Sequence, residues 1–352
     1  MGGLFSLVSH CYYMNVAAKI LLCLLFLFCF QTANADWQKQ KSNTLAWLRD
    51  VYFLNEKTGW ITGSGGTFLE TKNGGESWRQ TGKLTNDAIL QVYFADERNG
   101  WLLCERDVYN RGASMPSYVL RTGDGGANWE KLEFAVSGRE RIAKLLFDPK
   151  GAIVTAFGEG GAFFSLGEDG KTWKRTATAI KYLLLDGIFN NESSGVVVGA
   201  GGTVLFTEDG GASWNKANVF ADQSAKLRSV FFINQKTGWS VGAGGVILQT
   251  LSGGKTWRTL KSGTTKDLND VFFINSAEGF AVGDEGLILQ TKTAGNVWNP
   301  VNSNARHRLE KLFFMGKKGW AVGFGGTILR YDETGKQTPM KTKLSSRSTS
   351  AF

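Results

Sequence analysis

A motif that recurs about every forty residues limits this chain more than anything else in it. Gly238 to Trp257 reads GWSVGAGGVILQTLSGGKTW. Related strings run from Gly59-Trp60 to Trp78 and from Gly279-Phe280 to Trp298; weaker copies end at Trp129, Trp173 and Trp214. A copy that opens at Gly319-Trp320 has no closing tryptophan. From Trp78 onward the closing tryptophans stand 51, 44, 41, 43 and 41 residues apart. A period of this length with several strands per unit predicts the blades of a β-propeller. Seven openings predict seven blades, one of them unfinished at its end.

Each unit starts with alternating apolar residues, as in Leu48-Arg-Asp-Val51-Tyr-Phe53, Leu227-Arg-Ser-Val230-Phe-Phe232 and Leu309-Glu-Lys-Leu312-Phe-Phe314. Period-two alternation of branched and aromatic residues is strand chemistry. A second strand follows from Trp239, the cluster Gly242-Ala-Gly244-Gly245 supplies a hairpin corner, Val246 to Thr250 forms the third strand, and the fourth starts near Trp257. The tryptophans are large apolar bodies suited to the wedge between blades. The missing last strand is expected at the other end of the chain, where Trp37-Gln-Lys39-Gln-Lys41-Ser42 repeats the pattern of Trp257-Arg-Thr-Leu-Lys261-Ser262. Pairing of first strand with last would close the ring and remove two open edges. The expected fold is therefore all-β, a propeller of four-stranded blades over 36–336 whose last blade is completed by the amino-terminal strand.

The segment before the repeats differs in kind. Lys19, an apolar run from Ile20 to Phe30 and Ala33-Asn34-Ala35 have the form of a secretory leader cleaved before Asp36. The run is short for a membrane span. Three of the four cysteines fall in 1–35, so Cys104 would be alone in the mature chain and no internal disulfide framework is available. The net charge of +9 falls to +8 without Lys19, and His307 becomes the sole histidine, which disfavours a histidine metal site or a catalytic histidine. No cofactor is called for. The basic stretch 337–352 has the composition of a disordered tail.

A glycine stands three residues before six of the closing tryptophans, at Gly75, Gly126, Gly170, Gly211, Gly254 and Gly295. Two positions earlier come Asn73, Asp124, Glu168, Asp209, Ser252 and Thr293. This turn resembles an Asp box, in which the polar side chain accepts backbone N–H groups of its own turn. With GWxxGxGGxIL and DGGxSW together, the stretch from Asp36 to Gly335 resembles the photosystem II assembly and stability factor family, seven-bladed propellers of the thylakoid lumen and their bacterial relatives. The resemblance implies a non-enzymatic helper, exported to the periplasm or lumen, that binds membrane-protein assembly intermediates, photosystem II-like ones in a photosynthetic host.

Candidate site residues follow from the repeat register. The position after each unit's leading apolar residue is expected at the mouth of the central channel; it holds Arg49, Leu90, Ala143, Leu185, Arg228, Asn269 and Glu310. Arg49 and Arg228 could clamp a partner's carboxylate, or stand solvated around a wet channel. Arg121 and Arg330 share another repeat position and could extend a basic face. Lys or Arg beside the fourth-strand tryptophans reads as protection of outer edges or as attraction to an anionic membrane. The lengthened stretch between Cys104 and Tyr118 is either a binding loop or an idle one. Nucleic-acid binding is not expected in an exported chain with no recognised module, and nothing demands more than a monomer. The alternatives are a cell-envelope propeller that docks a transport or efflux complex, and a sialidase-type Asp-box glycosidase. The latter wants an arginine cluster, a tyrosine–glutamate pair and Phe/Tyr-Arg-Ile-Pro, whose nearest string here is Arg141-Ile142-Ala143.

Overall fold

The computed structural model describes residues 37–107, 109, 115–134, 139–176, 180–220 and 225–332. The expected leader (1–35), the expected tail (337–352) and part of the 104–118 loop lie outside them. The described chain folds into seven antiparallel sheets that follow one another in sequence, the blades of a propeller. Blade one is typical, with strands Leu48–Phe53, Gly59–Gly63, Phe68–Thr71 and Arg79–Gln80 in that order. Blade seven takes Leu309–Met315, Lys318–Gly323 and Thr327–Asp332 from the end of the repeats and Trp37–Gln40 from the beginning. Trp37 lies opposite Tyr331 and Gln40 opposite Ile328, so the ring closes as the repeat pattern requires.

The core lies between blades. Each hydrophobic cluster joins two neighbours: Trp320, Val322 and Ile328 of blade seven pack with Leu48, Val51, Phe53 and Ile61 of blade one, and Trp239, Val241 and Ile247 of blade five pack with Leu268, Val271 and Phe273 of blade six. A second-strand aromatic stacks on the first-strand phenylalanine of the next blade, with centroid separations of 3.9 Å for Trp60–Phe94, 3.5 Å for Trp239–Phe273 and 3.9 Å for Trp320–Phe53. The fourth-strand tryptophan of the phenylalanine's own blade meets it edge-on, as in Trp78–Phe53 at 5.6 Å and Trp298–Phe273 at 5.8 Å. Each such phenylalanine is thus held between two indoles, in the geometries aromatic quadrupoles favour. Two tryptophan positions fill the wedge, and the second-strand one crosses the seam.

The glycines serve two purposes. Gly245 is a hairpin corner with φ +74, and a Cβ there would stand 2.2 Å from the Thr264 carbonyl oxygen. Gly59, in the Gly-Trp pair, is instead a site of close approach: the Phe53 ring lies where its Cβ would be, 2.5 Å away. In the turns before the tryptophans, Asp124 Oδ1 accepts Thr122 Oγ1 at 2.8 Å and the Asn128 N–H at 2.9 Å, and Asp209 repeats this with Thr207 and Ser213. In the third blade the residue that accepts backbone N–H groups is Asp169, from Lys171 and Thr172, rather than Glu168. That turn is tighter, closed by Gly170 N–H to Gly167 O, which moves the accepting position one residue on.

One blade departs from four strands. Asn218–Phe220 leaves the end of blade four and pairs parallel with the fourth strand of blade five, Val219 opposite Trp257. It covers an edge that is otherwise left with unpaired backbone groups.

Candidate functional site

In every blade the first strand carries a β-bulge at the same place. Leu48 pairs with Gly63 and Asp50 with Thr62, which leaves Arg49 unpaired; the shift recurs at Ile89/Gln91, Ile142/Lys144, Leu184/Asp186, Leu227/Ser229, Leu268/Asp270 and Leu309/Lys311. A bulge inserts one residue and re-aims its neighbours. Two successive residues per blade therefore turn into the channel, where strict alternation would send one. They line a cavity of about 260 Å³ at one mouth of the channel.

The outer layer of this cavity is the expected one. Arg49, Arg228, Asn269 and Glu310 come together with Leu90, Ala143 and Leu185. Arg121 and Arg330 do not join them. Arg121 sits on a third strand beside Asp124 and Glu130, and Arg330, on the third strand of blade seven, is 3.6 Å from Asp332. The mouth gains two arginines that the register did not point to, because each precedes its leading apolar residue: Arg141 and Arg308. The ion pairs among these groups are mostly long, at 3.6 Å for Arg49–Glu310, 3.6 and 3.4 Å from Arg141 to Glu105 and Glu159, and 3.4 Å for Arg308–Asp284. Arg308 and Glu310 form the one close, two-point pair among the described residues of the mouth, at 2.9 and 3.3 Å; Arg228 pairs with Asp267. Lys226, next to Arg228, has no carboxylate within ion-pair distance among the described residues; burial, then repulsion from Arg228, Arg141 and Arg308, holds its pKa below the usual lysine range.

Three polar atoms at this mouth are buried without a hydrogen-bond partner among the described residues: Arg49 Nε, Arg228 Nε and Asn269 Oδ1. Asn269 is 6 % exposed, and its amide is already spent on the Leu309 carbonyl at 2.8 Å and Asp284 at 3.2 Å. Its oxygen is left to accept and the two guanidinium N–H groups are left to donate. An unmade buried hydrogen bond costs about 1–3 kcal/mol, so these three atoms carry an unmet cost in the folded chain.

The second layer is structural. Asp50 accepts the Val92 N–H at 2.9 Å, Asp186 the Val230 N–H at 3.0 Å, and Asp270 the Leu312 N–H at 2.7 Å, each from the next blade. Gln91 accepts the Leu145 N–H at 2.8 Å and donates its amide to the Leu145 carbonyl at 3.0 Å. Lys144 meets Asp186 and Lys311 meets Asp270, both at 3.0 Å. Burial pushes the Asp50 carboxyl up against the pull of Lys144 and Lys311. Burial works against the charge of Lys311 too, but Asp270, Asp186 and Asp50 outweigh it and raise its pKa. This belt stitches innermost strand to innermost strand beneath the outer layer.

Below it lies a ring of aromatics. Tyr52 meets Tyr93 at 5.3 Å and Phe313 at 5.7 Å, Tyr93 stacks on Phe147 at 3.9 Å, and Phe272 meets Phe231 at 4.6 Å. A second bulge in blade three, between Leu146 and Phe147, brings Phe147 to this ring. None of these rings lines the charged cavity.

With this geometry the chain is similar in fold to several solved propellers. A structure of YCF48 bound to D1 peptide aligns with a TM-score of 0.66 at 21 % identity over 86 % of this chain and 99 % of that one. YCF48 from Cyanidioschyzon merolae aligns with 0.67 at 20 % identity over 85 % of this chain and all of that one. The GH74 xyloglucanase from Xanthomonas campestris reaches 0.67 at 13 % identity, over 86 % of this chain and 55 % of that one. No curated protein matches the sequence. The family profile described as photosynthesis system II assembly factor YCF48 matches residues 30–179, 165–266 and 255–348, nearly the whole propeller. The chain belongs to the YCF48 family of photosynthesis system II assembly factors.

Proposed function

We propose that the chain is a non-enzymatic binding scaffold of the extracytoplasmic space that holds a peptide segment of a membrane-protein assembly intermediate at the charged mouth of its channel. The observation that carries this reading is the set of unsatisfied groups there, Arg49 Nε, Arg228 Nε and Asn269 Oδ1, with the ammonium of Lys226 close enough to feel Arg228, Arg141 and Arg308. An extended acidic segment offers partners for all of them, because a carboxylate accepts from guanidinium and ammonium while a backbone N–H donates to the amide oxygen. Family membership supports the assembly role, and the similarity to YCF48 bound to D1 peptide supports a peptide of a membrane protein as the ligand class. In a photosynthetic host that protein would be a component of photosystem II. Export rests on the leader-like segment up to Ala35.

The carboxylates at the mouth favour binding over glycoside hydrolysis. Glu310, Glu105 and Glu159 each lie within ion-pair distance of an arginine, whereas a glycosidase needs two carboxyls free to act on the sugar as acid and as nucleophile or base. Asp50, the carboxyl that burial raises, accepts the N–H groups of Val51 and Val92 as part of the interblade belt.

The test is photocrosslinking capture from solubilised membranes of the native source, with the full chain beside a Lys226→Gln, Arg228→Gln variant whose melting is unchanged. Recovery of one membrane-protein complex by the parent and its loss in the variant is the expected result. Equal recovery by both would sink the channel-mouth site, and recovery of nothing by either would sink the scaffold role. A mass spectrum of the exported protein should begin at Asp36; an intact Met1 would sink export through this leader.

A further inference from the structure

The loop that leads into the first strand of blade one is unlike its counterparts. Where blade six has Thr265-Lys266-Asp267 and blade seven has Arg306-His307-Arg308, blade one has Leu45-Ala46-Trp47. Superposition by repeat is secured by the same backbone approach in each: a Cβ on Gly326, Gly245 or Gly286 would meet the carbonyl of Thr44, Thr264 or Ala305. The hairpin beside this loop is also unusual. It opens with Phe324, where other blades have Ser64, Glu159, Ala200, Ala243 and Asp284. Leu45 is 87 % exposed and Phe324 47 % exposed.

These residues form one surface across the seam between blades seven and one. Trp47 meets Phe324 edge-on at 5.8 Å, and Phe324 meets His307 at 5.8 Å. The Arg49 guanidinium stacks on Trp47 at 3.6 Å, with Arg308 at 5.9 Å from the same ring. The surface is apolar in its middle and basic around it. Among the described residues, Lys41, which lines a groove with Leu45, Gly325 and Gly326, and the exposed Arg306, next in the chain to His307, have no carboxylate within ion-pair distance. Trp47 Nε1 is a buried donor without an acceptor among the described residues.

We infer that this seam is a docking shelf for an acidic peptide segment that carries an apolar side chain beside its carboxylates. The apolar side chain covers Leu45 and Phe324, the flanking carboxylates meet Arg306 and Lys41, and a carbonyl or carboxylate oxygen accepts from Trp47 Nε1. Two independent features select this occupant: the unpaired positive charge, which an apolar partner alone would not use, and the exposed aromatic and aliphatic pair, which an acidic partner alone would leave wet. The inference rests on the reading of the mouth face as the binding face, since Arg49 belongs to both surfaces.

The experiment measures binding of three fluorescein-labelled heptapeptides to the full chain by anisotropy: alternating aspartate–leucine, aspartate–glycine and lysine–leucine. The expected result is affinity for aspartate–leucine at least tenfold above either of the others. A Leu45→Ser, Phe324→Ser variant should lose that preference over aspartate–glycine. Both positions are exposed, so the fold should be retained, and an unchanged melt checks this. Retention of the preference by the variant overturns the shelf, as does equal binding of lysine–leucine. If the parent binds phosphatidylglycerol vesicles instead, loses them in this variant and shows no peptide preference, the surface is a membrane contact and the inference falls. The Lys226→Gln, Arg228→Gln variant separates the two sites. Loss of binding in it alone keeps the channel mouth and rejects the shelf, and loss of the apolar preference in the serine variant alone does the reverse.

Discussion

Trp78 donates its indole N–H to Gln40 Oε1 at 3.2 Å, a bond from blade one to a strand that completes blade seven. The Gln40 amide returns a bond of 2.7 Å to the Gly75 carbonyl. Beside it, Trp37 is 1 % exposed and packs edge-on against Phe280 and Phe314 at 5.8 and 5.9 Å. The closing strand thus fills the blade six–seven wedge and reaches across the seven–one seam.

Deletion of residues 36–42 should therefore open the ring. Loss of a buried tryptophan alone costs about 3–5 kcal/mol, which for a domain of this size corresponds to a fall in melting temperature on the order of 10 °C. The measurement is a thermal melt by circular dichroism, with Trp37→Ala alongside the deletion. An unchanged melt for both would refute closure through this strand.

Asp270 takes three bonds at once, from Ser229 Oγ, Lys311 Nζ and the Leu312 N–H, and is 2 % exposed. Asp270→Ala leaves the Leu312 N–H without its acceptor and takes one carboxylate from the half-buried Lys311 ammonium, and should cost about 1–3 kcal/mol, while Asp270→Leu with Lys311→Met should recover part of it. Urea unfolding of the two variants checks this; a double variant no better than the single one would contradict it.

Acid should loosen the turns at the opposite face before it reaches the core. Hydrogen bonds from Asn128, chiefly its backbone N–H, hold Asp124 at about 2, and the hydroxyl of Ser213, with that residue's N–H, holds Asp209 at about 2, against 3.8 for either when free. A carboxylate depressed on folding contributes stability above its unfolded pKa and loses it as pH falls through the folded one. The urea midpoint should fall between about pH 4 and pH 2, and the slope should flatten in an Asp124→Asn, Asp209→Asn variant. A midpoint independent of pH across that window would count against these bonds.

Cys104 is fully buried, and burial pushes its thiol up to about 12. It should resist a disulfide reagent at pH 8 in the folded chain and react promptly in urea, since the thiolate is the reactive form. Prompt labelling of the folded chain would mean that blade two opens far more readily than its packing implies.

Much of this architecture was legible in the chain itself. The Gly-Trp repeat marked the second strands, the Leu48 and Leu227 patterns marked the first, and Trp37 marked the closing strand. What escaped has identifiable causes. The belt of Asp50, Gln91, Asp186 and Asp270 lay one residue beyond the position that alternation assigns to the channel, because a bulge places two neighbours there. The pairing of Asn218–Phe220 with another blade is parallel and non-local, and three residues carry no period. The close approach of Phe53 over Gly59 looks, in sequence, like one more turn glycine. The shelf at Leu45 and Phe324 was visible only as a departure from the repeat once the loops could be superposed.

The aromatic collar of Tyr52, Tyr93, Phe147, Phe231, Phe272 and Phe313 gives the channel a direction. A peptide held at the charged mouth as proposed would have these rings beneath it, so it could offer an end, a bend or a single side chain while its main run stays over the rim. Release of such a peptide would then be a short withdrawal, with no thread to pull through and no ring to reopen.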